Sequence, residues 1–126
     1  MSDVLLKGLR TVIYRVSDLE KSKQWYSRIF GLAPYFDQPF YVGFNVGGYE
    51  LGLDPDKSEG PTGKGGVGAY WGVEDASAAY ANALGHGATS NNPPNDVGGG
   101  IIVASILDPD GNVIGLIENP HFVAGQ

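Results

Sequence analysis

The sequence predicts an α+β fold of two tandem βαβββ modules that form a curved mixed sheet around a ligand cavity. Three observations carry that expectation. A strand, a turn and an amphipathic helix follow one another between Leu9 and Leu32, a weaker copy of the same pattern returns from Val67, and a polar loop over residues 55–66 separates the two. At 126 residues the chain fits one domain, residues 1–126, large enough to bury a core without staples. Module 1 is placed at about 9–54, the linker at 55–66 and module 2 at about 67–119.

The elements follow in order. Met1–Lys7 is a lead-in with no assigned role, its apolar residues being Val4, Leu5 and Leu6. Thr11 to Val16 is a short β-branched and aromatic run that suits a strand. Ser17 and Glu20 then have the spacing of a capping box, and Asp18 places a carboxylate at the positive end of a helix. Leu19, Ser22, Tyr26, Ile29 and Phe30 recur at three- and four-residue intervals, so one stripe faces a core, and Gly31 ends the helix. Ala33 to Asp37 fits a short strand and Phe40 to Val46 a longer one, with Pro39 at its entrance. Gly47-Gly48 reads as a tight hairpin turn into a strand over Tyr49–Asp54.

The loop that follows holds Pro55 and Pro61 and almost no apolar side chain. Module 2 opens with a strand from Val67, then an alanine-rich helix on Ala76, Ala79, Tyr80, Ala83 and Leu84 that stops at Gly85-His86-Gly87. Asp75 follows Asp18 by 57 residues, and each sits where a strand turns into a helix. Thr89 to Gly100 reads as a polar Asn/Pro/Gly loop, Ile101 to Leu107 as a strand, Asp108-Pro-Asp-Gly-Asn112 as a turn and Val113 to Glu118 as the last strand. Each sheet then buries one face under its helix and leaves the other free to line a cavity.

Composition removes several chemistries. There is no cysteine, hence no disulfide, thiolate nucleophile or Cys-ligated metal. A net charge of −6 leaves no basic patch to neutralise phosphates, which argues against nucleic acid as a partner. No apolar run approaches the ~20 residues of a membrane span, and the N-terminus does not read as a secretion signal, so a cytoplasmic protein with no membrane partner is expected. No Ser-His-Asp arrangement, phosphate loop or dinucleotide fingerprint is visible.

The stretch Arg15-Val-Ser-Asp-Leu-Glu-Lys-Ser22, with Trp25-Tyr26, Phe30-Gly-Leu32 and the Asp108–Asn112 turn, resembles the vicinal oxygen chelate superfamily of glyoxalase I, bleomycin-resistance proteins and extradiol dioxygenases. The resemblance spans about residues 8–120. It implies paired modules, a homodimer, and metal ligands at matched points of the two repeats. The first-strand ligand positions correspond to Thr11 and Gly68, and the last-strand positions to Glu50 and Gly115. Glu50 alone keeps a ligating side chain of the usual kind. A transition metal needs about three or four converging donors, so the expectation is no metal and no cofactor. The resulting reading is a metal-independent small-molecule-binding protein of the bleomycin-resistance type. Its alternative is a glyoxalase-like lyase or isomerase using Glu50 as general base or metal ligand.

Strand alternation puts Thr11, Ile13, Glu50, Gly68, Tyr70 and Gly115 on the cavity face. Together with Arg15 they form the expected ligand-binding set, and Glu50 is the catalytic candidate, its pKa raised if the cavity desolvates it. A solvated carboxylate paired with Arg15 stands beside that reading. In the glyoxalase I branch an arginine at the position of Arg15 helps hold the thiol substrate, whereas an arginine at a strand end is also a common surface ion pair. Gly68 and Gly115 would leave room for an organic molecule. Phe40, Tyr41, Phe44, Trp71 and Tyr80 add aromatic surface, mostly for the core. His86 suits a helix C-terminus, Pro120 interrupts a Glu118–His121 pair, and Gly98-Gly99-Gly100 is a hinge or lid candidate.

Overall fold

Both modules begin with a strand that turns into a helix at an aspartate. In module 1, β1 (Thr11–Arg15) leads to α1 (Leu19–Phe30), and the Asp18 carboxylate accepts from the Lys21 N–H at 3.0 Å. In module 2, β5 (Gly68–Gly72) leads to α2 (Ala76–Gly85), and Asp75 accepts from the Ala78 N–H at the same distance. These two caps satisfy donors that the first helical turn would otherwise leave unpaired. The computed structural model describes residues 9–56, 58, 61–65 and 68–121. The lead-in Met1–Lys7 and the expected module start at Val67 lie outside the described residues.

The capping-box expectation is corrected in its detail. Asp18 rather than Ser17 caps α1, because the Ser17 backbone N–H and hydroxyl both donate to Asp110, and Glu20 accepts from Gln24 instead of reaching back. Gly31 closes the helix as expected, with φ of 66° and its N–H on the Ser27 carbonyl at 2.9 Å.

Each module holds a four-stranded mixed sheet. After α1 come β2 (Phe36–Gln38), β3 (Tyr41–Val46) and β4 (Tyr49–Asp54), and the strand order is β1-β4-β3-β2, with β1 parallel to β4 and the rest antiparallel. After α2 come β6 (Thr89–Asp96), β7 (Ile102–Leu107) and β8 (Val113–Glu118), in the equivalent order β5-β8-β7-β6. The two sheets are not closed into a barrel. The β3–β4 hairpin turns at Gly47 and Gly48, whose φ values of 60° and 94° a side chain would resist.

The polar segment read as a loop, Thr89 to Gly100, is instead mostly the edge strand β6. An edge strand needs one row of backbone pairing only. Pro93 and Pro94 sit where the β6–β7 register shifts between Asn92 and Asn95, so their missing N–H groups cost no ladder bond.

One hydrophobic cluster spans both modules. Tyr14, Val16, Trp25, Tyr26, Ile29, Val42, Phe44, Leu51 and Leu53 of module 1 join Trp71, Ala83, Ile106 and Ile114 of module 2. Trp71 donates its indole N–H to the Tyr14 hydroxyl at 3.2 Å and meets Phe30 edge-on. The Asp108–Asn112 turn is the polar part of this junction. Asp108, 5% exposed, accepts from the Tyr26 hydroxyl at 2.8 Å, and the Asn112 side chain donates to the Arg15 carbonyl at 3.0 Å. The helices and this junction occupy one face of each sheet and leave the opposite faces free of helices.

Candidate functional site

On the helix-free face of module 1, Thr11 of β1 lies directly opposite Glu50 of β4. The Glu50 carboxylate is enclosed by three hydroxyls. Thr11 Oγ1 donates to Oε1 at 2.8 Å, the Tyr41 hydroxyl donates to the same oxygen at 2.9 Å, and the Tyr35 hydroxyl donates to Oε2. Two glycines make room for this arrangement. Gly43 and Gly52 are paired across β3 and β4, and a Cβ on Gly43 would lie 2.6 Å from Glu50 Oε2, one on Gly52 only 1.9 Å from the Tyr41 oxygen. The floor of the site is therefore bare backbone over which Glu50 and Tyr41 lie.

The electrostatics correct the expectation of a raised Glu50. Burial is the largest single influence and pushes the carboxyl up, but the bonds from Tyr35, Thr11 and Tyr41 together outweigh it, and the pKa falls below the ordinary value. Bonds to the charged form stabilise the charge. The partners shift the other way: Tyr41 is raised by burial first and then by its bond to Glu50, and Tyr35 is raised chiefly by that bond. A carboxylate so stabilised is a weaker base than a free glutamate.

A hollow of about 270 Å³ opens here, lined by Arg10, Thr11, Tyr35, Asn45, Gly48, Tyr49 and Glu50. A second, of about 490 Å³, lies on module 2 and is lined by Tyr70, Asn92, Pro93, Pro94, Asn95, Val103, Ala104 and Ser105. Each is lined from one module alone. Of the expected site residues, Thr11 and Glu50 thus come together in the first hollow and Tyr70 lines the second. Ile13 shares the Thr11 face, Arg15 pairs in register with Asp54, and Gly68 has open space where a Cβ would be. At Gly115 the expected room is already used. The Tyr70 ring lies over it, with a ring carbon 2.3 Å from where a Cβ would stand. The register also makes Val113, opposite Gly68, the counterpart of Glu50, while Gly115 matches Gly52.

Sequence reasoning missed Tyr35, and it assigned Tyr41 to general aromatic surface. The available signal was Gly43 and Gly52, which fall on the same alternation as Glu50 and mark a place where other side chains lie across the backbone. Phe44 and Trp71 are in the core, Tyr80 packs against it, and Phe40 is exposed.

The donors present do not meet what a transition metal requires. Glu50 already accepts three hydroxyl protons, the matched positions offer a threonine, a glycine and a valine, and among the described residues no three His, Cys, Asp or Glu side chains are grouped to hold an ion. The histidines are engaged elsewhere: His86 Nδ1 contacts the Asn82 carbonyl at 2.8 Å, and His121 Nε2 contacts the Gly99 carbonyl at 2.7 Å. Glu118 accepts from the Ala76 N–H at the head of α2, apart from His121. Among the described residues no helix is long and apolar enough to cross a membrane.

Comparison with known folds follows this geometry. A glyoxalase-related enzyme from Fulvimarina pelagi superposes with a TM-score of 0.76 at 20% identity, covering 95% of this chain and 94% of that one. A superfamily member from Sphaerobacter thermophilus gives 0.74 at 23%, covering 92% and 100%, and TioX from Micromonospora gives 0.74 at 18%, covering 88% and 98%. These likenesses establish the fold. No functionally curated protein matches the sequence. The sequence pattern of one family covers residues 8–116, and by that match the chain belongs to the Glyoxalase/Bleomycin resistance protein/Dioxygenase superfamily.

Proposed function

We propose that the chain is a small-molecule-binding protein of this superfamily that works without a resident metal ion, as a homodimer whose helix-free faces hold the ligand. The observation that carries the proposal is the state of Glu50, whose carboxylate is already occupied by hydroxyl protons from Thr11, Tyr35 and Tyr41. A divalent ion would have to displace those donors and would gain one carboxylate, keeping most of its water. The competing reading, a lyase or isomerase with Glu50 as base, asks for proton abstraction by a carboxylate whose pKa is lowered.

The open shape of the two hollows supports the dimer reading. Ligand pockets commonly enclose most of their ligand, and each hollow here is walled by one module only. Tyr70, which lines the second hollow, is 61% exposed, apolar surface that a second copy would cover. In the proposed dimer module 1 of one copy faces module 2 of the other, and symmetry makes the two sites equivalent.

Metal analysis of protein purified without chelator, with light scattering on the same sample, tests both parts. The expected result is far less than one equivalent of zinc, nickel, iron or manganese, on a dimer. About one equivalent, lost in Glu50→Ala, overturns the metal-free reading, and a monomer at working concentration overturns the assembly. Turnover of a thiohemiacetal or related carbonyl compound that disappears in Glu50→Gln would establish the enzyme instead.

A further inference from the structure

We infer that the Glu50 hollow recognises a one- or two-ring aromatic ligand through a hydrogen bond that the ligand donates. The inference deepens the binding reading above and rests on it. It comes from counting protons. An ionised carboxylate only accepts, so Thr11, Tyr35 and Tyr41 must each be donating to Glu50, and each hydroxyl has a single proton to give. Nothing remains on these three groups to offer a ligand except oxygen lone pairs. Glu50 Oε1 takes two of the bonds and Oε2 one, which leaves Oε2 with spare acceptor capacity. One wall of the hollow is therefore made of acceptors.

A ligand carbonyl or ether turned to that wall would set lone pairs against lone pairs and lose its water without replacement. A ligand N–H or O–H finds several acceptors within one small area. The charge of the lining does not call for an ion, since Arg10 and Glu50 both border the hollow. An uncharged donor is the better match. The aromatic part of the ligand is argued from the neighbouring rings. Tyr35 and Tyr49 both line the hollow. Tyr35 is 63% exposed, which leaves ring surface in the hollow available for stacking.

Two matched pairs of probes test this: indole against 1-methylindole, and phenol against anisole, where methylation removes the donor and keeps the ring. Each is titrated into the full chain labelled with nitrogen-15, and amide shifts are followed. Indole and phenol should move the amides of Thr11, Tyr35, Asn45 and Glu50 and bind about ten-fold tighter than their methylated partners. In Glu50→Gln, with its fold checked by the same spectrum, the side-chain amide supplies protons of its own, and the preference should fall below about three-fold. Methylated probes that bind as well as their parents at those amides overturn the donor inference and leave the binding reading standing. Shifts confined to Tyr70, Asn92 and Val103 overturn the assignment to this hollow and likewise leave binding standing. If none of the four probes moves either set of amides up to its solubility, the inference and the binding reading fall together.

Discussion

Replacing Asp108 by asparagine tests whether the turn between β7 and β8 locks the two modules together. Its carboxylate accepts four bonds: Oδ1 from the Asp110 and Asn112 N–H groups at 2.9 and 2.8 Å, Oδ2 from the Tyr26 hydroxyl and the Asn112 side-chain amide at 2.8 Å each. Asparagine keeps one oxygen, which can hold the two backbone bonds. Its NH2 group then faces two donors. Tyr26 can turn its hydroxyl to accept, but the Asn112 amide cannot flip without abandoning the Gly63 N–H that its oxygen accepts at 2.9 Å. One buried donor is left without its partner, which costs about 1–3 kcal/mol, and the remaining bonds change from charged to neutral acceptors. Relief from burying a charge offsets part of this, so the net loss is placed at about 2 kcal/mol.

For a chain of this size that corresponds to a fall in Tm of roughly 8 °C at pH 7, measured by calorimetry or thermal circular dichroism. The pH dependence supplies a second, independent check. Burial is the largest influence on Asp108 and raises its pKa in spite of the bonds from Asn112 and Tyr26. The folded state then holds this proton more readily than the unfolded state. Between the ordinary carboxylate value and the raised one, wild-type stability falls as pH rises, and the asparagine variant lacks that slope. The wild-type advantage should accordingly widen as pH drops through the raised value. A variant as stable as wild type at pH 7, or an advantage that narrows in acid, would refute the argument.

Glu50 has the opposite sign. Its folded pKa is lowered, so the stability it contributes is present above the ordinary glutamate value and is lost as pH falls through the lowered one; the wild-type advantage over Glu50→Gln should narrow in acid melts. Gly52→Ala should push the Tyr41 ring off Glu50 and lower stability by about 1–2 kcal/mol, the scale of a hydrogen bond to a charged group. In Tyr41→Phe, which has already lost that bond, the same alanine should cost less, and a denaturation double-mutant cycle that is additive would exclude the coupling.

The backbone was largely legible in the sequence because it is written in local patterns. Asp18 and Asp75 announce two helix starts by their chemistry, Gly31 and Gly47-Gly48 announce chain reversals by the φ values they permit, and β4 and β8 run over the residues that alternation assigns them. Strand β6 was not legible, since an edge strand with one pairing neighbour tolerates asparagines and prolines that a central strand would exclude. Ser17 was misread for a related reason. Its partner Asp110 lies 93 residues away, and a capping box is judged on nearest neighbours only.

The site was half legible, and the missing half has a physical cause. Alternation correctly puts Thr11 and Glu50 on one face, because the side-chain period of a strand is fixed. It gives no information about which distant residue lies across a glycine. Tyr41 covers Gly52 from within the β3–β4 hairpin, and Tyr70 covers Gly115 from the parallel neighbour β5, so the two modules solve the same bare-backbone problem with tyrosines from different strands. Duplication preserved the backbone registers and not the side chains laid over them. In module 1 the covering tyrosine also bonds a carboxylate, and with the bonds from Thr11 and Tyr35 it outweighs the effect of burial; alternation shows a face but none of these partners, which is why the expected pKa shift of Glu50 had the wrong sign.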